Sequence, residues 1–293
     1  MTGRIVVGID GSAESAAALE WAISRARLGG NELELVNAYN PPASHDFYGH
    51  HGMATGQQVL WFTEHSEELL EAARARVAEV APDLTAKLTS TMGPAAYVVA
   101  SASAGAELVV VGRRGLGAAS SVLLGSVSNR LTIEAEAPLI VVNEGEAPTS
   151  GPVVVGVDGS EYGTAALRFA VAEAALRGTS VRAVTAFTYP ELRFPADHEL
   201  IDRMRAGVEA EAAEIPAQAL AALGKAASSV AVEQLTVEGR PAEAILAHAG
   251  DASLVVVGSH GKGLIRRVLL GSVSRQVLND ATRPVAVVDL PEA

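Results

Sequence analysis

Two stretches of glycine and serine in this sequence have the spacing expected of a phosphate cradle. The pattern Gly-x2-Gly-x9-Gly-Ser spans residues 112–126 and recurs at residues 258–272. Glycines let the backbone approach an anion closely, free amides at a helix start carry partial positive charge, and a serine hydroxyl adds a donor. Each copy follows a predicted strand and ends where a helix is predicted to begin. This placement favours anion binding over the alternative that the glycines only shape a turn.

A second pair of motifs carries carboxylates. Asp10 and Asp158 each follow a run of apolar residues and precede Gly-Ser. Doubly wound sheets bind ligands in the crevice outside the carboxyl ends of their strands, so a carboxylate in this position faces that crevice. Ser12 and Ser160 have a structural alternative, because an N-cap serine accepts hydrogen bonds from the free amides of a helix start.

The residues that would drive turnover of a phosphate ligand are missing from the sequence. There is no Gly-x4-Gly-Lys-[Ser/Thr] loop, so no lysine is placed on phosphate in the P-loop manner. Apart from Asp10 and Asp158, no histidine or carboxylate pair recurs in both halves in a way that would position an attacking water. The two aspartates could instead help to hold Mg2+, which favours one or two carboxylates with phosphate oxygens. We therefore predict no catalytic residue.

The elements that must position these motifs come from a duplication. The segment that ends in Asp10-Gly-Ser returns 148 residues later, and the glycine pattern returns 146 residues later. A nearly constant offset over a half-chain indicates a duplicated domain rather than a solenoid, whose repeats run about 20–50 residues. A polar segment with glycine and proline at residues 143–151 separates the halves. We predict two domains, residues 1–145 and 146–293.

Within each half, short Val- and Ile-rich runs alternate with longer Ala-rich stretches, which is typical of βαβ units. Continuously apolar runs indicate parallel strands covered by helices on both faces. The fold class is therefore α/β, with two tandem doubly wound, Rossmann-like domains, each containing a five-stranded parallel sheet. The predicted strands lie near residues 4–9, 33–38, 84–91, 107–112 and 138–142, then 152–157, 180–186, 230–237, 253–258 and 284–288. In the first half, the predicted helices lie near residues 13–29, 57–80, 94–104 and 122–135.

Composition excludes several classes of partner. The formal net charge of -12 does not support a broad surface for nucleic acid. The first apolar run is broken early by Asp10, and no stretch approaches the roughly 18 apolar residues of a membrane span, so we expect neither a signal peptide nor a membrane anchor. We expect a cytoplasmic location.

The glycine pattern, together with Gly-x-Asp-Gly-Ser at residues 8–12 and 156–160, resembles the nucleotide-binding branch of the universal stress protein family. The resemblance covers both halves. It implies ATP, with or without Mg2+, in an extended crevice: adenine held by backbone after the second strand, ribose near the aspartate, and phosphates on the glycines and serine. The implied residues of the first site are Asp10, Ala38, Gly112, Gly115, Gly125, Ser126, Val127 and Ser128. Those of the second site are Asp158, Ala186, Gly258, Gly261, Gly271, Ser272, Val273 and Ser274.

The resemblance also implies how the protein works. Family domains pair through their last strands, so the two halves can pair within one chain, and a homodimer is a further option. The leading hypothesis is an ATP-binding regulator of the stress response, not an enzyme or at most a weak ATPase, which acts on a protein partner that the sequence does not name. The alternatives are an ATP-using hydrolase or transferase of the same fold, or a structural pairing module that binds no nucleotide.

The remaining polar clusters have simpler interpretations. His45, Asp46, His50 and His51 could form a metal site in the loop after the second strand, but their spacing matches no common site, and we predict a solvated loop and no metal. Between the glycines, Arg113-Arg114 in the first half corresponds to Ser259-His260 in the second. Arg113, Arg114 and Lys262 could help to neutralise phosphate, but we interpret most of these three as solvated surface residues.

Overall fold

The computed structural model describes residues 3–41, 44–45, 51–52, 56–115, 124–145, 150–189, 198–261 and 269–290. The chain divides into two compact units, Met1–Glu146 and Ala147–Ala293. In the described residues, no helix is both long enough and apolar enough to cross a bilayer.

The first unit is a doubly wound sheet. Its elements, in chain order, are β1 (Arg4–Gly8), α1 (Ala13–Gly29), β2 (Glu32–Tyr39), the two-residue strands β3 (Ser44–His45) and β4 (His51–Gly52), α2 (Gly56–Val80), β5 (Ala86–Met92), α3 (Ala95–Ala102), β6 (Leu108–Gly112), α4 (Ser126–Glu134) and β7 (Leu139–Val142). Five strands lie parallel in the order β7-β6-β1-β2-β5. The chain leaves β1 toward β2 and later returns to β6 on the other side, so the strand order reverses between β1 and β6.

The second unit repeats this plan. It contains β8 (Val153–Gly156), α5 (Glu161–Arg177), β9 (Val181–Phe187), α6 (His198–Leu223), a 3-10 helix (Gly224–Ser229), β10 (Val232–Glu238), α7 (Pro241–Ala247), β11 (Leu254–Gly258), α8 (Ser272–Asp280) and β12 (Val285–Val288). The parallel order is β10-β9-β8-β11-β12, so the reversal falls between β8 and β11.

The core of each unit follows from the apolar strands. Ile5, Val6 and Val7 of β1 and their counterparts 153–155 in β8 are fully buried, because helices cover both faces of each sheet. The first helix of each unit begins at a serine N-cap and ends before a glycine in the left-handed region, Gly30 at φ 67° and Gly178 at φ 65°. Both ends therefore carry the residue types that satisfy unpaired helix amides and carbonyls.

The predicted fold class is confirmed, and all ten predicted strands are present. Two details were wrong. The helix predicted over residues 122–135 begins at Ser126, because Gly125 is extended, at φ -61° and ψ 155°, and serves as its N-cap. The short strands β3 and β4 were not predicted, since two-residue pairings leave no periodic pattern in a sequence.

Candidate functional site

A cavity opens in the first unit where the strand order reverses. Its volume is about 380 Å³, within the range of about 300–1,000 Å³ that small-molecule sites occupy. The structure brings all eight predicted residues of the first half into its wall, namely Asp10, Ala38, Gly112, Gly115, Gly125, Ser126, Val127 and Ser128. They come from four separate segments of the chain, which meet because the carboxyl ends of parallel strands lie at the same edge of the sheet.

Asp10 holds the turn between β1 and α1. Its Oδ1 accepts hydrogen bonds from the Ser12 amide at 3.0 Å and from the Ser12 hydroxyl at 2.6 Å. The same hydroxyl oxygen accepts the amide of Ser15 at 3.1 Å, so Ser12 is an N-cap as well as a partner of the aspartate. Gly11 between them has φ 80°, a conformation that suits glycine. The aspartate is thus fixed at the cavity wall by its own turn.

The glycines of the pattern meet different needs. A Cβ on Gly112 would lie 2.7 Å from the backbone carbon of Glu14, so this glycine lets β6 and the first turn of α1 approach each other. A Cβ on Gly115 would instead collide with Oδ2 of Asp10. Gly112 is therefore required for packing, whereas Gly115 allows the Asp10 carboxylate to lie close to the backbone of the cavity wall.

The start of α4 forms another part of the cavity wall. Gly125 is the N-cap of α4, and a glycine has no side chain that could accept hydrogen bonds from the first amides of the helix. The first intrahelical bond runs from the Asn129 amide to the Gly125 carbonyl at 2.9 Å, so the amides of residues 126–128 have no acceptor within the helix. The Ser128 hydroxyl is buried and donates to the Arg113 carbonyl at 2.7 Å, while Ser126 is exposed. Amides and the Ser126 hydroxyl are the donors that remain for an anion.

The second unit contains a matching cavity of about 400 Å³. Its wall includes all eight predicted residues of the second half, namely Asp158, Ala186, Gly258, Gly261, Gly271, Ser272, Val273 and Ser274. Asp158 accepts from the Ser160 amide at 3.0 Å and from the Ser160 hydroxyl at 2.6 Å, the same distances as in the first unit. Gly271 caps α8 without a side-chain hydrogen bond. The Ser274 hydroxyl donates to the Gly258 carbonyl at 2.5 Å.

The two cavities differ at the residue before the second glycine. Arg114 lines the first cavity, and its Nε lies 3.3 Å from Oε1 of Glu14. His260 lines the second, where Tyr162 takes the place of the glutamate and its ring lies 5.1 Å from the imidazole. Arg114 is therefore not one of the solvated surface residues among the three basic residues, because it lines the cavity. Lys262 lies outside the described residues.

Two segments of the chain, residues 1–143 and 150–289, each match the model of the universal stress protein family. This chain belongs to the universal stress protein family. It is 33% identical over 303 residues to universal stress protein Rv1996 of Mycobacterium tuberculosis, covering 98% of this chain and 95% of that one. It is 34% identical over 294 residues to a universal stress protein of Mycolicibacterium smegmatis, with 97% and 96% covered. Both alignments therefore span the two halves of this chain and nearly the whole length of these relatives.

Solved structures of the same fold are also similar to this universal stress protein. One from Archaeoglobus fulgidus aligns over 98% of both chains with a TM-score of 0.68 and 21% identity. A functionally unknown protein, PA1789 of Pseudomonas aeruginosa, aligns over 98% of this chain and 92% of its own, with a TM-score of 0.69 and 17% identity. At these identities, the similarity concerns the fold.

Sequence reasoning missed several residues at the sites of this universal stress protein. Asn37 on β2 donates to the Ile9 carbonyl at 2.5 Å, and Thr185 on β9 donates to the Val157 carbonyl at 2.9 Å. These two positions correspond in the duplication, and each fixes the carbonyl next to the site aspartate. The sequence did hold a signal, because each is a polar residue between two apolar neighbours, Val36 and Ala38 in β2 and Val184 and Ala186 in β9. The apolar cavity walls, including Val99 on α3 and Ile245 on α7, look like ordinary core positions in sequence.

The histidine loop of this universal stress protein lies mostly outside the described residues. Asp46 and His50 are not described, and His45 and His51 are described only as backbone partners in the β3–β4 pairing. Among the described side chains, no three His, Asp or Glu residues converge as a metal-binding group would require. The structure therefore does not test whether this loop binds a metal, and the expectation of a solvated loop without metal stays a prediction.

Proposed function

We propose that this protein is an ATP-binding regulator of the stress response in which each unit binds one nucleotide and hydrolyses it slowly or not at all. One observation carries the proposal: in each of two cavities at two strand-order reversals, the wall contains one aspartate and one helix start whose N-cap is a glycine. Helix starts of this kind bind phosphate through free amides and partial positive charge.

The rest of each cavity suits the other parts of a nucleotide. In the first unit, Val36, Ala38 and Val99 give an apolar end that would take the adenine ring. Asp10 lies in the same cavity wall and would accept from ribose hydroxyls. The resemblance noted from the sequence supports the same order of adenine, ribose and phosphate. Mg2+ beside the phosphates, pairing of the two halves, a homodimer and a cytoplasmic location remain predictions within this proposal.

The described residues favour binding over catalysis. Each cavity has one carboxylate in its wall, and one oxygen of that carboxylate already accepts two hydrogen bonds within its turn. Ground-state binding without added stabilisation of the transition state does not accelerate phosphoryl transfer. A hydrolase or transferase is the competing proposal, and ATP consumption well above background would favour it.

The direct test is to denature freshly purified protein and identify the released nucleotide by mass spectrometry. The expected result is an adenine nucleotide in the wild type and little in the double variant Ser126→Asp with Ser272→Asp. Both serines are exposed first residues of their helices, where aspartate favours the helix but repels phosphate. Protein that releases no nucleotide and takes up none from added ATP would leave the structural pairing module as the better proposal.

A further inference from the structure

The imidazole of His260 is held in one orientation at the wall of the second cavity. Its Nδ1 lies 2.9 Å from the Ser259 hydroxyl oxygen, and that oxygen lies 3.0 Å from Oδ1 of Asp289. The residue is 9% exposed, and its ring packs against Tyr162. A serine, an aspartate after β12 and a tyrosine on α5 therefore fix a histidine that lines a proposed phosphate site.

The hydrogen-bond chain determines which ring nitrogen is left. An ionised carboxylate only accepts hydrogen bonds, so the Ser259 hydroxyl donates to Asp289 and its oxygen accepts from Nδ1–H of His260. The other nitrogen, Nε2, is buried and has no hydrogen-bond partner among the described residues. A buried polar atom without a partner is costly, and a ligand in the cavity that this residue lines would supply the missing partner.

The first unit has an arginine at the position of this histidine. Arg114 corresponds to His260, Glu14 to Tyr162, and Asn143 to Asp289 in the duplication. Arg114 is charged at every physiological pH and lies beside Glu14, so the first cavity has a permanent cation with a counter-ion. The second cavity has a group whose charge depends on pH, without a carboxylate at the Glu14 position.

We propose that His260 contacts the phosphate end of the nucleotide through Nε2 and makes binding at the second site dependent on pH, while binding at the first site is not. The proposal rests on the proposed function. Protonated imidazole donates Nε2–H to a phosphate oxygen, whereas neutral imidazole with its proton on Nδ1 has only a lone pair there. The ionisable groups around it in the described residues are Asp289, Tyr162 and Asp158, whose Oδ2 would lie 2.8 Å from a Cβ built on the neighbouring Gly261. Affinity at the second site therefore falls as pH rises.

The test measures each site separately. Ser126→Asp blocks the first site and Ser272→Asp blocks the second, and both proteins are titrated with ATP and Mg2+ by calorimetry at about pH 5.5 and about pH 8, on either side of the usual histidine range. The Ser126→Asp protein is expected to lose about tenfold or more in affinity at the higher pH, the effect of one charge-assisted hydrogen bond. The Ser272→Asp protein is the matched control, because it binds only at the first site and experiences the same pH effects on ATP itself. Little further change in its affinity is expected between the two pH values.

Substitutions at His260 in the Ser126→Asp background identify the group. His260→Gln removes the imidazole and is expected to abolish the extra pH dependence, while His260→Arg copies the first site and is expected to restore affinity at high pH. Circular dichroism of each variant confirms that it folds. Equal pH dependence at the two sites, or dependence that survives either substitution in a folded variant, would overturn the proposal. Absence of ATP binding in every protein at both values would instead contradict the proposed function.

Discussion

Asp10 and Ser12 are joined by two hydrogen bonds to a single carboxylate oxygen, one from the serine amide at 3.0 Å and one from its hydroxyl at 2.6 Å. Asp158 and Ser160 repeat both bonds at the same distances. From the sequence alone, the serine was interpreted as a helix cap and the aspartate as a group that faces the ligand, with no link between the two. The structure shows that one serine caps the helix and also orients the aspartate.

This pair predicts different effects for two substitutions of the aspartate. Asp10→Ala removes the acceptor for both bonds and is expected to lower the free energy of unfolding by about 1–3 kcal/mol. Asp10→Asn keeps an oxygen acceptor and is expected to lower it by less. The two tryptophans of the chain, Trp21 and Trp61, both lie in the first unit, so denaturant unfolding followed by tryptophan fluorescence reports on that unit. Equal losses for Ala and Asn would show that these bonds do not stabilise the turn.

Gly112 is predicted to matter for folding even without a ligand. A methyl group there would lie 2.7 Å from the backbone of Glu14, and overpacking of this kind typically costs about 1–3 kcal/mol. Gly56→Ala is the matched control in the same unit, because a Cβ at Gly56 meets nothing within 4 Å. Tryptophan fluorescence should show clear destabilisation for Gly112→Ala and little change for the control. A Gly112→Ala protein as stable as wild type would mean that β6 and α1 can separate freely.

A buried carboxylate on β2 predicts how the first unit responds to acid. Burial alone would raise the pKa of Glu34, but hydrogen bonds from Thr89 at 2.6 Å and Lys87 at 3.0 Å, with the charge of Arg4, outweigh burial and hold the pKa below its ordinary value of 4.5. A lowered pKa in the folded state means that the stabilisation is present above the ordinary value and is lost as pH falls through the lowered one.

The stability advantage of the wild type over Glu34→Gln should therefore be full near neutral pH and shrink below about pH 4.5. Unfolding followed by tryptophan fluorescence at several pH values measures it. The second unit offers the comparison, because Arg182 stands at the equivalent position and pairs with Glu233 at 3.0 Å and Asp251 at 2.9 Å, with the charges reversed. An advantage that does not change with pH would contradict the assignment to the Glu34 charge.

Hydrolysis of ATP is predicted to be slow. Turnover should lie well below the roughly 1–100 s⁻¹ typical of kinases, because the carboxylate that recurs in both cavities already accepts two hydrogen bonds within its turn through one of its oxygens. A steady-state assay of released phosphate, with the Ser126→Asp and Ser272→Asp double variant as the background control, measures it. Rapid turnover that Asp10→Asn and Asp158→Asn together abolish would make these aspartates catalytic and the regulator proposal wrong.

The sequence revealed the fold because duplication, apolar runs and glycine spacing are local patterns. The sixteen predicted site residues also line the two cavities of the structure, eight in each. They could be assigned from the sequence because the carboxyl ends of parallel strands meet at one edge of a sheet. What it missed depends on contacts between distant segments. Gly112 could not be recognised as a packing glycine, because its neighbour Glu14 is far away in sequence. Nor could the burial of His260 be foreseen, because Tyr162 on α5 and Asp289 after β12 come from distant parts of the sequence.

The most direct test of the account is the number of nucleotides that one chain binds. Calorimetric titration of nucleotide-free protein with ATP and Mg2+ is predicted to approach two per chain, because each unit has its own cavity and its own helix start without a side-chain cap. Ser126→Asp and Ser272→Asp should each reduce this to about one, and together to about none. Folded wild-type protein that binds no ATP would contradict the account, as would binding unaffected by both substitutions.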